Sequence, residues 1–156
     1  MSGIETLAHA PLFVMRLDVA YDQAQQIGGE GNLGIYPVRG GTFEGERLRG
    51  EVLGGGADWV TWHANGTMHI DVRTSLRTHD GAMIAMVYQG YAAATSEAAA
   101  EKLRRKEVVE YGDIYIRTTP RFSTQHPDYL WLNRIVAVAN GMRTDTGPMY
   151  HVFEIR

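Results

Sequence analysis

Along most of the chain, apolar residues alternate with polar ones instead of recurring at helical spacing. Met68-His69-Ile70-Asp71-Val72-Arg73 is typical, and Tyr129-Leu130-Trp131-Leu132-Asn133 reads the same way. A period of two sends successive side chains to opposite faces of a strand. Glycine-containing turns separate the alternating runs. The pattern predicts strands near residues 11–21, 34–44, 47–53, 57–63, 67–77, 82–93, 111–123, 129–141 and 148–155. One segment departs from it. Ser96 to Glu107 is rich in Ala, Glu, Leu, Lys and Arg, with Ser96 as N-cap, Glu97 in the first turn and Arg104, Arg105 and Lys106 in the last. It predicts one helix of about three turns, either a surface connector or a lid over a barrel mouth. No low-complexity linker interrupts the series. Residues 1–156 are therefore expected to form one all-β domain, a single closed or nearly closed antiparallel β-barrel with one short α-helix.

Two dipeptides suggest a strand register. Asn65-Gly66 and Asp80-Gly81 each match a two-residue hairpin loop, whose type I′ turn needs positive φ at both positions. The first loop pairs Trp62 with His69, Val60 with Asp71 and Asp58 with Arg73. The second pairs Ser75 with Met86, Arg73 with Tyr88 and Asp71 with Gly90. One face then carries Asp58, Trp62, His69, Asp71, Arg73, Met86 and Tyr88, a mixture of charged and large apolar groups that suits a cavity wall. The expectation depends on loop length, because a slip of one residue would exchange the faces.

On that face Asp71 or Asp58 is the candidate acid/base, with burial raising a carboxyl pKa toward neutrality. Arg73 and Tyr88 are candidate stabilisers of a substrate oxyanion. The competing interpretation is a buried ion pair that braces three strands. Trp62, Met86 and Trp131 are candidate apolar walls, and His69, Arg117 and Asn133 candidate substrate contacts. His63 and His69 fall on opposite faces in this register, and no HExxH pattern occurs, so no metal site is expected. Gly29-Glu30-Gly31-Asn32-Leu33-Gly34 fits GxGxxG literally but leads into a strand-like run, whereas a dinucleotide motif opens a helix. A flexible loop is expected there, and no cofactor. Gly54-Gly55-Gly56 and Gly40-Gly41 suit barrel corners or bulges.

Composition narrows the chemistry. The 156 residues contain no cysteine, which excludes disulfides, thiol nucleophiles and Cys-based metal centres. The net charge of −3 and the lack of a basic run argue against nucleic acid. Met1 to Ala10 show no basic stretch or long apolar run, so no signal peptide is expected. No segment is apolar enough for a membrane helix, and a cytoplasmic protein is the default expectation.

Several of these strings together resemble a known family. They are Gly40-Gly41-Thr42-Phe43-Glu44-Gly45, Gly55-Gly56-Ala57-Asp58-Trp59, Asp71-Val72-Arg73, Asp80-Gly81-Ala82 and Tyr129-Leu130-Trp131-Leu132-Asn133. In this order they resemble the bacterial and fungal domain-of-unknown-function family 3237, from about Met15 to Arg156. The resemblance implies a closed antiparallel barrel of calycin-like or allene-oxide-cyclase-like shape, often dimeric. It implies Asp58, Asp71, Arg73, Trp131 and Asn133 as pocket residues and supplies no catalytic assignment. The Gly28–Gly34 loop is not part of the resembling pattern.

Three readings follow. The first is a cofactor-independent enzyme, of isomerase, cyclase, hydratase or lyase type, acting by proton transfer on a hydrophobic aromatic or polyketide-like carbonyl or phenol. The second is a non-catalytic barrel that binds or carries a lipophilic small molecule. The third is a structural barrel filled by its own side chains.

Overall fold

A computed structural model describes residue 3 and residues 5–156. It contains ten strands: β1 (His9–Val19), β2 (Gln25–Gly28), β3 (Leu33–Glu44), β4 (Arg49–Trp62), β5 (Met68–Thr78), β6 (Met83–Ala94), β7 (Ile114–Thr118), β8 (Arg121–Ser123), β9 (Val136–Arg143) and β10 (Pro148–Ile155). Helix α1 spans Glu97–Arg104, and 3₁₀ turns cover Tyr21–Gln23 and Pro127–Arg134. Among the described residues no helix is long and apolar enough to cross a membrane.

The strands pair antiparallel in the order β1-β10-β9-β7-β6-β5-β4-β3, and β3 returns to β1. Met15 marks the closure, facing Tyr150 on β10 and Phe43 on β3. The result is a closed eight-strand barrel with two further strands. Of these, β2 edges β3, and β8 continues the line of β7 along β6 beyond Pro120. Closure leaves the main sheet without an open edge.

Glycine bends the long strands where the barrel curves. Leu53 faces Ser75 and Ala57 faces Arg73, so Gly54-Gly55-Gly56 bulge opposite a single residue. A Cβ on Gly56 would come within 2.3 Å of the Arg73 carbonyl oxygen. The Gly40-Gly41 region shifts register against β4 in the same way. What the sequence predicts as two strands, 47–53 and 57–63, is thus one bent strand. The strand predicted near 111–123 is interrupted at Thr119-Pro120, since Pro120 has no N–H to pair.

Both diagnostic hairpins differ from expectation by one residue. Gly66 N–H donates to the His63 carbonyl and His63 N–H to the Thr67 carbonyl, enclosing Ala64, Asn65 and Gly66. Gly81 with Thr78, and Thr78 with Ala82, repeat the arrangement. Gly66 has φ +86° and Gly81 φ +92°, whereas Asn65 and Asp80 stay at negative φ. These are three-residue loops ending in a left-handed glycine. Asn65 Oδ1 and Thr78 Oγ1 accept from the following backbone N–H groups of Thr67 and Ala82, supporting the longer loop. Accordingly Asp58 pairs with Val72, Trp62 with Met68 and Tyr88 with Val72. The two slips cancel across β5. Asp58 and Trp62 on β4 still share a face with Met86 and Tyr88 on β6. The β5 residues joining them are Met68, Ile70 and Val72, not His69, Asp71 and Arg73.

The segment predicted as a strand near 129–141 is a strand only from Val136. Before it, Pro127 starts a 3₁₀ turn and His126 Nδ1 accepts from Asp128 N–H. The period of three brings Tyr129 and Leu132 to one buried face, which replaces the alternation of Tyr129, Trp131 and Asn133. This turn plugs one end of the barrel. Above it Phe13 packs on Phe43 and Phe122 with ring centroids 5.4 and 6.0 Å apart, beside Leu76, Ile84 and Met86. That half of the barrel is filled by side chains.

Candidate functional site

The other half is hollow. A cavity of about 100 Å³ opens at the end where α1 lies, walled by residues such as Val38, Val60, Trp62, Ile70, Val72 and Ile116. Leu103 and Lys106, at and just beyond the end of α1, form part of its mouth. Ser96 caps that helix as expected, accepting from Ala99 N–H at 3.1 Å, but α1 has only two turns.

Among the described residues, Asp58 is the one carboxylate on the cavity wall. Strand β4 places it inward between Tyr36 of β3 and Val72 of β5. Its Oδ1 accepts the Asp71 backbone N–H at 3.2 Å. Burial pushes its pKa up to about 7, partly opposed by that N–H and reinforced by the charge of Asp71. The carboxyl is therefore poised between acid and base near neutral pH.

Four phenols surround it. Tyr88 and Tyr150 meet edge-to-face with centroids 5.3 Å apart, and Tyr21 meets Tyr36 at 6.0 Å. Burial raises Tyr88 and Tyr150 well above the ordinary phenol range, and the Asp58 charge acts in the same direction. Burial also raises Tyr21, opposed by the nearby Arg143. All three remain neutral donors at physiological pH. Tyr88 Oη is buried without a hydrogen-bond partner. Tyr36 Oη accepts from Gln26 Nε2 at 3.2 Å. Glycines make room for two of the rings: a Cβ on Gly34 would lie 2.9 Å from Tyr36 Cε2, and one on Gly141 3.0 Å from Tyr150 Cδ1.

Two cations complete the mouth. Arg143 Cζ stands 4.4 Å over the Tyr21 ring, and its Nε and Nη2 are buried with no acceptor. Lys106 Nζ lies 5.2 Å from the same ring centroid and 5.5 Å from that of Tyr36. Burial lowers the Lys106 pKa, and Arg143 lowers it further.

The residues predicted from sequence divide clearly. Asp58, Trp62 and Tyr88 belong to the cavity. Met86 points inward but packs in the filled half, opposite Thr74 and Phe122. His69, Asp71 and Arg73 lie on the outer face because of the register slip, and His69 meets Tyr91 edge-to-face there with centroids 5.4 Å apart. Asp71 touches the site only through its backbone N–H. Arg73 and Tyr88 are therefore not an oxyanion pair, and on β5 Gly90 faces Ile70, not Asp71. Arg117 is also external, donating to the carbonyl of the preceding residue, Ile116, and lying over Tyr115 at 4.5 Å. Trp131 and Asn133 sit at the plugged end: Trp131 beneath Arg47 at 4.0 Å, Asn133 bonded twice to the Thr124 backbone. The GxGxxG string forms the β2–β3 turn and runs into a strand. Among the described residues no three metal-ligating side chains converge.

The model for "Protein of unknown function (DUF3237)" matches residues 8–155. The chain belongs to the DUF3237 family. Curated relatives of this DUF3237 protein are UPF0311 proteins. One from Rhodopseudomonas palustris is 36% identical over 115 residues, 74% of each chain. One from Bradyrhizobium diazoefficiens is 36% identical over 118 residues, 74% of this chain and 76% of its own. Among solved structures, a β-barrel-like protein of Acinetobacter baumannii superposes with TM-score 0.84 at 31% identity, covering all of both chains. A conserved protein of unknown function from Rhodopseudomonas palustris gives TM-score 0.89 at 28% identity, covering 99% of this DUF3237 chain and 100% of the other. A barrel from Penicillium herquei, described as an enzyme, shares the fold with TM-score 0.72 at 20% identity over all of both chains.

Proposed function

We propose that this DUF3237 protein is a cofactor-independent enzyme that moves a proton on a small carbonyl or phenolic substrate held in the barrel. The observation that carries the reading is a half-buried carboxyl, Asp58, set among phenols and apolar side chains, with Lys106 and Arg143 at the mouth. Held at a pKa of about 7, such a carboxyl can accept a proton from carbon near neutral pH. As the C–H bond breaks, its proton goes to Asp58 and its electron pair passes to the carbonyl oxygen. Tyr88 and Tyr150, which line the cavity beside Asp58, are the donors available to that oxygen. The enolate so formed is common to isomerisation, cyclisation, hydration and lyase cleavage. The Penicillium herquei barrel described as an enzyme supports the choice by fold analogy alone.

Cavity size narrows the substrate. About 100 Å³ is smaller than the roughly 150 Å³ that accommodates benzene in an engineered apolar cavity. A short chain or the leading part of one ring occupies the interior, and a polyketide-like remainder would lie at the mouth.

Solvent exchange provides the test. Phenylacetone and ring-hydroxylated phenylacetones, incubated with the protein in D2O, should gain deuterium beside the carbonyl, as read by proton NMR. Asp58→Asn should slow that gain by roughly 10²- to 10⁴-fold. Ketones that bind the wild type without exchanging would leave a carrier in place of an enzyme, and exchange that survives in Asp58→Asn would remove Asp58 as the base.

A further inference from the structure

The two cations at the mouth are not needed for proton transfer at Asp58. Arg143 comes from the end of β9, where its Cα partner on β10 is Pro148. Its guanidinium is stacked on Tyr21, so the position is fixed, yet Nε and Nη2 have no acceptor. A buried charged donor left unpaired is costly unless something else completes it.

Lys106 is held there at a cost. Lys106 N–H donates to Leu103 O at 3.1 Å and Glu107 N–H to Lys102 O at 2.9 Å, closing α1 in a Schellman motif. Lys106 is the residue at φ +61°, the position glycine normally fills. A lysine in the left-handed region is strained. Here the conformation turns its ammonium back over Tyr21 and Tyr36, at the cavity mouth. The neighbouring carboxylates are committed elsewhere: Glu97 and Glu101 to Arg104, Glu107 to Arg105. Among the described residues no carboxylate forms an ion pair with Lys106 or Arg143. The mouth thus carries two cations and, inside, one carboxyl that is partly neutral at pH 7.

We infer that the ligand carries an anionic group, a carboxylate or comparably acidic oxygen, bound between Arg143 and Lys106 while its apolar body enters the barrel. The guanidinium brings its charge to the cavity mouth, and its enclosed Nε and Nη2 find no compensating acceptor in the protein. The ammonium adds a point charge from α1. The inference rests on the cavity being the ligand site and names the class of molecule it admits.

Benzoate and its neutral counterpart benzamide are the probes, each small enough to set its polar group at the mouth with its ring edge in the cavity. Binding is measured by NMR titration of the full chain, with Trp62 and Tyr150 signals reporting cavity occupancy. Wild type should prefer benzoate by tenfold or more, and Arg143→Met and Lys106→Met should each remove most of that preference while benzamide binding stays. Lys106→Gly, which relieves the left-handed strain, should lose the preference too. Equal binding of the two probes, or a preference unchanged in both Met variants, overturns the anion site and leaves the cavity reading intact. Failure of both probes to perturb Trp62 and Tyr150 overturns the inference together with the cavity as a single-ring site. Loss of exchange activity in Asp58→Asn is independent of either result.

Discussion

The Asp58 carboxyl links function to stability. In the folded protein its pKa is about 7, against an ordinary value of 3.8, and burial is the main cause. Between those two values the folded state keeps a proton that the unfolded chain has released. Stability associated with neutral Asp58 is complete below about pH 4 and is lost as the pH rises to 7. Each tenfold difference in proton affinity between the two states is worth about 1.4 kcal/mol, so the full loss is roughly 4 kcal/mol as an upper bound. Asp58→Asn keeps the acceptor for the Asp71 N–H and removes the titration. Urea denaturation should find the variant close to wild type at pH 4 and increasingly more stable than wild type toward pH 8. Parallel stability curves for the two proteins would mean that Asp58 titrates as an ordinary surface carboxylate. That penalty is the stability cost that the proposed acid/base role of Asp58 would carry.

At the scale of elements, glycine–tyrosine pairing shapes the site. Gly141 on β9 lies beside Tyr150 on β10, and a Cβ there would stand 2.8 Å from the Met149 carbonyl oxygen and 3.0 Å from the tyrosine ring. The ring can turn, but the carbonyl belongs to the β9–β10 ladder and cannot withdraw without loosening it. Gly141→Ala should therefore cost about 1–3 kcal/mol by thermal or urea unfolding, and should displace Tyr150 into the cavity. A neutral effect would show that the ladder yields more easily than its geometry suggests. Element by element, the sequence revealed the barrel because alternation and glycine bulges are local signals. It misassigned β5 because Asn-Gly and Asp-Gly suit either a two- or a three-residue loop, and only backbone φ separates them. That single residue moved His69, Asp71 and Arg73 outside. Tyr150 and Arg143 were legible in principle: Tyr150 alternates with buried Val152, and Arg143 follows the inward small residues Ala137, Ala139 and Gly141. Tyr21 was too, since it continues the inward alternation of Met15, Leu17 and Val19 at the end of the strand predicted near 11–21, whereas Lys106 was not, because it lies just beyond α1 and no periodicity points it inward.

At the scale of the molecule, the barrel divides its labour along its axis. The plugged half holds Phe13, Phe43, Phe122 and Leu76 in close contact and supplies the cohesion of a core. The open half trades cohesion for volume. The same deletion should thus have different consequences at the two levels. Leu76 is fully enclosed, so Leu76→Ala leaves a new cavity and loses the whole transfer free energy, about 4 kcal/mol. Ile70, on the same strand face, already borders empty space. Ile70→Ala merges its volume with the existing cavity and should cost about 2 kcal/mol, near the lower end for such a change. The enlarged cavity should also admit 2-naphthoate, which the wild-type volume excludes. Urea midpoints compared at equal m-value would measure the first contrast, and NMR titration the second. If both variants lose the same stability and neither gains the larger ligand, the two halves are equally packed, and the cavity is not a space the fold maintains.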